Sequence, residues 1–453
     1  MPHMGQPLTA AYQEAVDFLY RFLDNSRVRH PEQRARFSLQ RMTRLLTALG
    51  TPQRAYPVVH IAGTNGKGSV AAMVAAVLHA AGYRVGLYTS PHLVEFVERI
   101  RVDGVPIAAD EVAAGVQRLR PLAEAEPQLS TFELTTALAF DYFARRGVDF
   151  AVVEVGLGGR YDATNVVQPE VAVITALDYD HTRVLGPTLA DIARAKAGII
   201  KPARPVVSAG QPAEALAVLA DEARRQGAEL YLAPREVQVH VLDDTLRGQR
   251  LRLHWQSNGA RPLEVHLPLL GPYQRENVAV AALALRVLAR HRGWPIDTAA
   301  LRRGLERVRW PCRFEVLAYD PPLVVDGAHT LAAIRALRAG MAHYFPERPW
   351  VLIFGVSRTK DPRALLRALA PRHTWVIATQ SIHPKAMPAE QVAAAARSLG
   401  LRVSTTTSVE QALALARARA RAEHVLLATG SLFVAAGVRV VHTGESWWQA
   451  SLV

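Results

Sequence analysis

The chain has 453 residues, half of them hydrophobic, which is enough for large buried cores and for two or more domains. A formal charge of +13 admits nucleic-acid partners, yet the arginines are scattered with no basic block interleaved with aromatics, so an anionic small substrate or an Arg-rich solvated surface explains it as well. The single cysteine, Cys312, excludes an internal disulfide and suits a reducing cytosol, and the longest apolar runs, such as Val70 to Ala81, are too short and interrupted to cross a bilayer.

The N-terminus, Met1-Pro2-His3-Met4-Gly5, lacks the charged start and apolar stretch of a secretory signal. Strand-like runs rich in Val and Ile then alternate with Ala/Leu-rich helical stretches. The runs are Val58 to Ala62, Arg84 to Tyr88, Phe150 to Val155, Val171 to Thr175 and Pro205 to Ser208. Such alternation implies right-handed βαβ units and a mostly parallel sheet with helices on both faces. Glu236 to Leu267 reads as an antiparallel patch, with Leu251-Arg252-Leu253-His254-Trp255 alternating, and a helix follows from about Gln274 to His291. Near Arg309-Trp310-Pro311-Cys312-Arg313 the pattern breaks. A second series has strands at Leu323 to Val325, Trp350 to Phe354, Thr374 to Ala378 and His424 to Ala428. Two α/β domains, joined near residue 310, are expected. Ligands in such sheets gather at the carboxyl ends of strands, which puts Asp326 to His329, Gly355 to Lys360 and Thr429-Gly430-Ser431 on one rim.

The segment Pro57 to Val70 carries the strongest signal. An apolar strand enters the turn Gly63-Thr64-Asn65-Gly66-Lys67-Gly68-Ser69 and then an Ala-rich helix, Ala71 to Ala81. Small residues let backbone N–H groups approach oxyanions, the helix N-terminus offers orphan donors, and Lys67 adds a point charge. The usual nucleotide-loop spelling is not strictly matched, because Gly68 separates Lys67 from Ser69 and Ile61 stands where the first Gly belongs. The competing reading is a tight turn without a ligand.

Only five of the 53 basic residues are lysines: Lys67, Lys196, Lys201, Lys360 and Lys385. A chain that writes Arg almost everywhere keeps Lys mainly where a guanidinium would not serve, since Lys is compact and can lose its proton and react. This draws attention to Lys67 and Lys196. The strand Phe150 to Val155 carries a lone carboxylate, Glu154, which is costly to bury unless it is paired or bound to a cation. Mg²⁺ on nucleotide phosphates wants such oxygen ligands; an ion pair with Arg160 is the structural alternative. Ser90 offers a hydroxyl near the expected phosphates. Asp178-Tyr179-Asp180-His181 follows the next strand, with His181 suited to metal binding, to proton transfer or to a plain polar contact. Lys196 would end a helix capped by Gly198, ordinarily a solvated position. Gly271 to Asn277 opens a helix whose amides would contact a nucleobase or serve as caps.

These segments, with Tyr88 to His92, Glu98-Arg99-Ile100, Glu154 to Asn165, Lys196 to Lys201, Arg313-Phe314-Glu315, Asp326 to His329 and Thr429-Gly430-Ser431, stand in the order and spacing of the folylpolyglutamate synthase/dihydrofolate synthase branch of the Mur ligase family. The resemblance spans about residues 36 to 440 and implies an α/β fold of two domains, a parallel-sheet ATPase domain of P-loop type over 1–310 and a smaller Rossmann-like glutamate-ligase domain over 311–453. It implies an ATP-dependent amide-bond ligase in which ATP phosphorylates the carboxylate of a folate or of dihydropteroate and L-glutamate attacks the acyl phosphate. It further implies that Gly63 to Ser69, Asn277, Arg313, Asp326 and Ser431 bind ATP. Ser90, Glu154, His181 and a carboxylated Lys196 would support two Mg²⁺ ions, with K⁺ or another monovalent cation as a further ion. Thr131-Phe132-Glu133 and Tyr161-Asp162-Ala163 would line a pterin pocket. Lys67, Lys196, His181 and His329 would carry the catalysis, with His329 and Ser431 linked to ATP and glutamate handling. The expected protein is a cytoplasmic monomer acting on small molecules, with no nucleic-acid or membrane partner.

Three departures from the family pattern stand out: Thr330 where Asn is usual, Cys312 where Gly is usual, and Asp178-Tyr179 where Gly-Leu is usual. Other readings are a ligase joining an amino acid to a non-folate carboxylate, a metal-dependent hydrolase built on Asp178, Asp180, His181 and His329, and a nucleic-acid-binding ATPase.

Overall fold

Val58 to Ala62 is buried at every position, as a strand covered on both faces requires. In the computed structural model, which describes residues 9–24, 31–256, 261–371 and 373–444, this strand lies inside an eight-stranded sheet. In chain order the strands of that sheet are β1 (Val58–Ala62), β2 (Val85–Tyr88), β3 (Ile100–Val102), β4 (Val105–Pro106), β5 (Phe150–Glu154), β6 (Val171–Ile174), β7 (Val206–Ser208) and β8 (Leu230–Leu232). Their spatial order is β4-β3-β2-β5-β1-β6-β7-β8, parallel from β2 to β8 with β3 and β4 added antiparallel. Thus β2, β5, β1 and β6 are neighbours, and their carboxyl ends open side by side.

The antiparallel patch is a separate three-stranded sheet of β9 (Val237–Thr245), β10 (Gly248–Trp255) and β11 (Leu263–Leu267). Along β10, Leu251, Leu253 and Trp255 are buried while Arg250, Arg252 and His254 are exposed, the period-2 signature of a half-covered sheet. The buried face joins the same core as the helices Lys67–Ala80 and Tyr273–Arg292.

A six-stranded sheet follows, with β12 (Glu315–Tyr319), β13 (Pro322–Val325), β14 (Trp350–Phe354), β15 (Trp375–Ala378), β16 (Arg402–Thr405) and β17 (Val425–Thr429) in the order β12-β13-β17-β14-β15-β16. It is parallel except for β12, which pairs antiparallel with β13. The two-domain α/β architecture expected from the sequence is present. Five strands were not foreseen: β3, β4, β8, β12 and β16. β3 is buried but only three residues long, and the other four are partly exposed, which dilutes the apolar run that marks a buried strand. The helix after β1 also begins earlier than expected, at Lys67, because Gly66 at φ +89 turns the chain directly into it.

Candidate functional site

A cleft of about 580 Å³ lies where the carboxyl ends of the large sheet face those of the six-stranded sheet. All of Gly63 to Ser69 line it. The Thr64 and Asn65 N–H groups donate to Ala176 O at 3.0 and 3.1 Å, which anchors the turn to the loop after β6. The helix that begins at Lys67 has Gly66 as N-cap with no side-chain cap, so its first-turn N–H groups are left to an anion. Gly68 has a tertiary explanation. A Cβ there would lie 2.9 Å from the Trp310 ring, so the linker residue packs directly on the loop.

Ser90 follows β2 and its N–H donates to Glu154 Oε2 at 3.2 Å. Glu154 ends β5 and is 5 % exposed. Burial pushes its carboxyl above the usual range, with Lys67, the Ser90 N–H and Arg313 pulling the other way. Its alternative partner is engaged elsewhere: Arg160 pairs with Glu222 at 3.3 Å. On the loop after β6, Asp180 is held low, because His181 and Lys360 outweigh the effect of burial. Lys360 reaches across the cleft from the second sheet, its Nζ 3.0 Å from Asp180 Oδ1. His181 Nε2 lies 3.6 Å from Asp180 Oδ2.

Lys196, expected near a solvated helix end, is 5 % exposed, and its Nζ donates to Gly63 O at 2.7 Å. Burial first, then repulsion by Lys67, lowers its pKa to about 7. Gly198 is the C-cap of its helix but stays right-handed at φ −61, so no left-handed cap forms. Among the described residues no three His, Cys, Asp or Glu side chains are grouped to hold a metal ion, so Asp178, Asp180, His181 and His329 do not build the cage the hydrolase reading needs. A phosphate-bound Mg²⁺ asks for less: one or two protein oxygens, which Glu154 and Ser90 are placed to offer.

From the second sheet, Asp326 directly follows β13. It accepts N–H bonds from Phe314 at 2.7 Å and Ala328 at 2.8 Å, with the Tyr273 hydroxyl 3.4 Å away. Arg313 and His329 line the same wall, and His329 Nδ1 lies 2.8 Å from Gly327 O. Two helices point their N-termini into the cleft: Leu331–Tyr344, capped by Thr330, and Leu432–Thr443, capped by Ser431. Asn277 sits opposite, so near Gly66 that a Cβ on that glycine would fall 2.3 Å from its Oδ1.

The departure at Thr330 is accommodated by this geometry: its Oγ1 accepts from Ala333 N–H at 3.2 Å, the capping bond an Asn side chain would also make. Thr330→Ala should lower the unfolding free energy by about 1 kcal/mol and Thr330→Asn should leave it nearly unchanged, as read by urea denaturation. Cys312 sits at φ +57, a region that favours glycine, and is fully buried.

The residues expected at the pterin pocket lie behind the cleft wall. Thr131 Oγ1 donates to Leu19 O at 2.8 Å, and Glu133 takes the Ser130 N–H at 2.9 Å and an ion pair with Arg41 at 3.4 Å. Phe132 backs the Gly156 turn, where a Cβ would lie 2.5 Å from its ring. Asp162 accepts N–H bonds from Leu157 at 2.9 Å and Thr164 at 3.0 Å and so shapes that turn, while Ala163 is buried and Tyr161 half-buried. Lys360, on the expected ligand rim and one of the five lysines, lines the cleft; what the sequence does not give is its pairing with Asp180.

An uncapped helix N-terminus after a Gly-rich turn, and a second α/β wall facing it across one cleft, suit an ATP-dependent ligase. Residues 61–285 match the Mur ligase middle domain and residues 312–432 the Mur ligase glutamate ligase domain. The folylpolyglutamate synthase of Lacticaseibacillus casei is 35% identical over 408 residues, covering 88% of this chain and 93% of that protein. The dihydrofolate synthase/folylpolyglutamate synthase of Bacillus subtilis is 37% identical over 337 residues, covering 73% and 78%. The structure of Mycobacterium tuberculosis folylpolyglutamate synthase complexed with ADP superposes with a TM-score of 0.85 at 36% identity, covering 96% of this chain and 99% of that one. The chain belongs to the folylpolyglutamate synthase/dihydrofolate synthase branch of the Mur ligase family and is an ATP-dependent ligase. Among the described residues no helix is long and apolar enough to cross a membrane.

Proposed function

We propose that this ligase joins L-glutamate to the carboxylate of a folate, of dihydropteroate, or of both, releasing ADP and phosphate. The observation that carries the reading is the shared cleft: the phosphate loop, Glu154 and Lys196 face Asp326, His329 and Ser431 across it. A carboxylate resists attack by an amine until its oxygen becomes a good leaving group, and transfer of the terminal phosphoryl group of ATP achieves this. Such transfer depends on positioning and charge stabilisation. In this reading the first-turn N–H groups and Lys67 hold the phosphates, Asn277, Arg313 and Asp326 hold the rest of ATP, and Ser90, Glu154 and His181 hold Mg²⁺. Bound there, Mg²⁺ would neutralise phosphate charge as the bond to the leaving ADP lengthens. Lys196 acts as a carboxylated, anionic support for the metals. The capped N-termini at Thr330 and Ser431, with His329 beside them, suit the carboxylates of the incoming glutamate. Thr131-Phe132-Glu133 and Tyr161-Asp162-Ala163 shape the pterin side from behind the Gly156 turn.

The domain boundary falls at 310/311 in this reading, and the protein works as a cytoplasmic monomer, with K⁺ or another monovalent cation as an accessory ion. The test is an assay with ATP, Mg²⁺, L-glutamate and either dihydropteroate or a reduced folate. The expected result is phosphate release and a product one glutamyl unit heavier by mass spectrometry. Phosphate release no greater than background with both acceptors would overturn the reading.

A further inference from the structure

The turn joining β9 to β10 docks on the second domain. Leu246 at its tip packs against the apolar cluster of the six-stranded sheet, which also takes in Leu270. Next to it, Asp244 has a side chain only 7% exposed yet collects donors from both domains. Arg275 pairs with it from the start of the helix Tyr273–Arg292. The Tyr344 hydroxyl donates to its Oδ1 at 2.6 Å, and His343 Nε2 lies 2.9 Å from its Oδ2. Both of those residues end the helix Leu331–Tyr344 of the second domain.

The links continue toward the cleft. Tyr344 Oη accepts the Gly271 N–H at 3.2 Å, and Arg275 Nε donates to Gln249 Oε1 at 2.8 Å, whose amide in turn donates to Leu269 O at 2.9 Å. Gly271 begins the segment that carries Tyr273, Glu276 and Asn277 into the cleft. The helix Leu331–Tyr344 has 14 residues, about 21 Å, and its other end, at Thr330, Ala332 and Ala333, forms the opposite cleft wall. One buried carboxylate therefore ties the root of the nucleotide-side segment to the far end of the helix whose N-terminus faces it.

We infer that Asp244 is a positioning residue for the ligase reaction, holding the two domains at the angle at which one cleft contacts both ATP and the incoming glutamate. The inference rests on the proposed ligase reading. A helix pinned at one end transmits a small rotation there into a larger displacement at the other, and a buried carboxylate with three side-chain donors permits little rotation. Loss of the clasp lowers the fraction of molecules in the closed geometry, and apparent affinity falls by that fraction while the closed complex reacts as before.

For Asp244→Asn the expected result is a KM for L-glutamate and for ATP raised about tenfold with kcat within about twofold of wild type. Tyr344→Phe, a milder change that guards against misfolding of the first variant, should raise both KM values about threefold, and Asp244→Glu should restore part of the loss. A readout independent of catalysis is the distance between spin labels on Gln117→Cys and Glu390→Cys, both exposed, in a protein whose own Cys312 is buried. The variants should broaden that distance distribution toward longer separations. A lowered melting temperature with unchanged KM values and an unchanged distance distribution in Tyr344→Phe would overturn the proposal. Broadened distances in a protein that ligates no glutamate would sink the ligase reading and leave the clasp standing.

Discussion

Lys67→Ala should reduce ATP-dependent phosphate release by at least ~10²–10³-fold, the scale set by losing one preorganised charge at a site of developing negative charge. Lys67 is the first residue of its helix and lines the cleft, with Nζ 3.4 Å from Thr64 O. It is only partly buried, so its removal should leave the unfolding midpoint almost unmoved. Loss of turnover without loss of fold marks a group acting on the ligand. Lys67→Arg should not restore activity, because the planar guanidinium is wider than an ammonium and the loop is tightly backed by Trp310 and Asn277. A phosphate-release assay alongside thermal unfolding checks both points. Wild-type turnover in Lys67→Ala would mean that the phosphates bind elsewhere. An ATP-independent hydrolase in the same cleft would survive the substitution.

Lys196→Arg should lose activity by at least ~10²-fold although the formal charge is kept. Burial and Lys67 bring the amine to a pKa of about 7 from 10.5, so on the order of a thousandfold more of it is neutral at pH 7 than of a solvated lysine. The neutral amine is the form whose lone pair attacks CO₂; a proton leaves and an anionic carbamate remains. Arg stays protonated and does not follow this route. With ¹³C-bicarbonate, the wild-type protein should show a carbamate carbon resonance by NMR that Lys196→Arg lacks. Lys196→Ala should recover part of its activity with added short carboxylates. Full activity in Lys196→Arg would show that a plain cation suffices.

The two lysines are coupled. Lys67 is one of the charges that depress the Lys196 pKa, so Lys67→Ala should raise it and reduce the neutral fraction near pH 7. Part of any loss in Lys67→Ala therefore passes through Lys196.

Much of the site was legible because its chemistry depends on local spelling. A strand, a Gly-rich turn and a helix in direct succession place backbone donors whatever surrounds them, and a lone Glu in an apolar strand signals a carboxylate held for a purpose. The helix-capping role of Thr330 was equally local, yet it reads as a departure until the Ala333 N–H is seen to find its hydroxyl. Lys196 stands near a helix end, ordinarily a solvated position, and nothing local announces its burial, which comes from the Gly63 turn, 133 residues away. The pairing of Lys360 with Asp180 is hidden for the same reason, since Asp180 lies in the other domain, 180 residues distant.

What the sequence by itself determined was the succession of α/β units, the phosphate loop, and the family that its ordered motifs resemble, all of which rest on periodicity and on residues adjacent along the chain. Only the tertiary structure decided why Gly68 is a glycine, that Lys196 is buried against the loop, and that Asp244 joins a hairpin to a helix of the other domain. Those are contacts between surfaces brought together by packing. Their partners lie far apart along the chain, and no local pattern of charge or hydrophobicity encodes the distance between them.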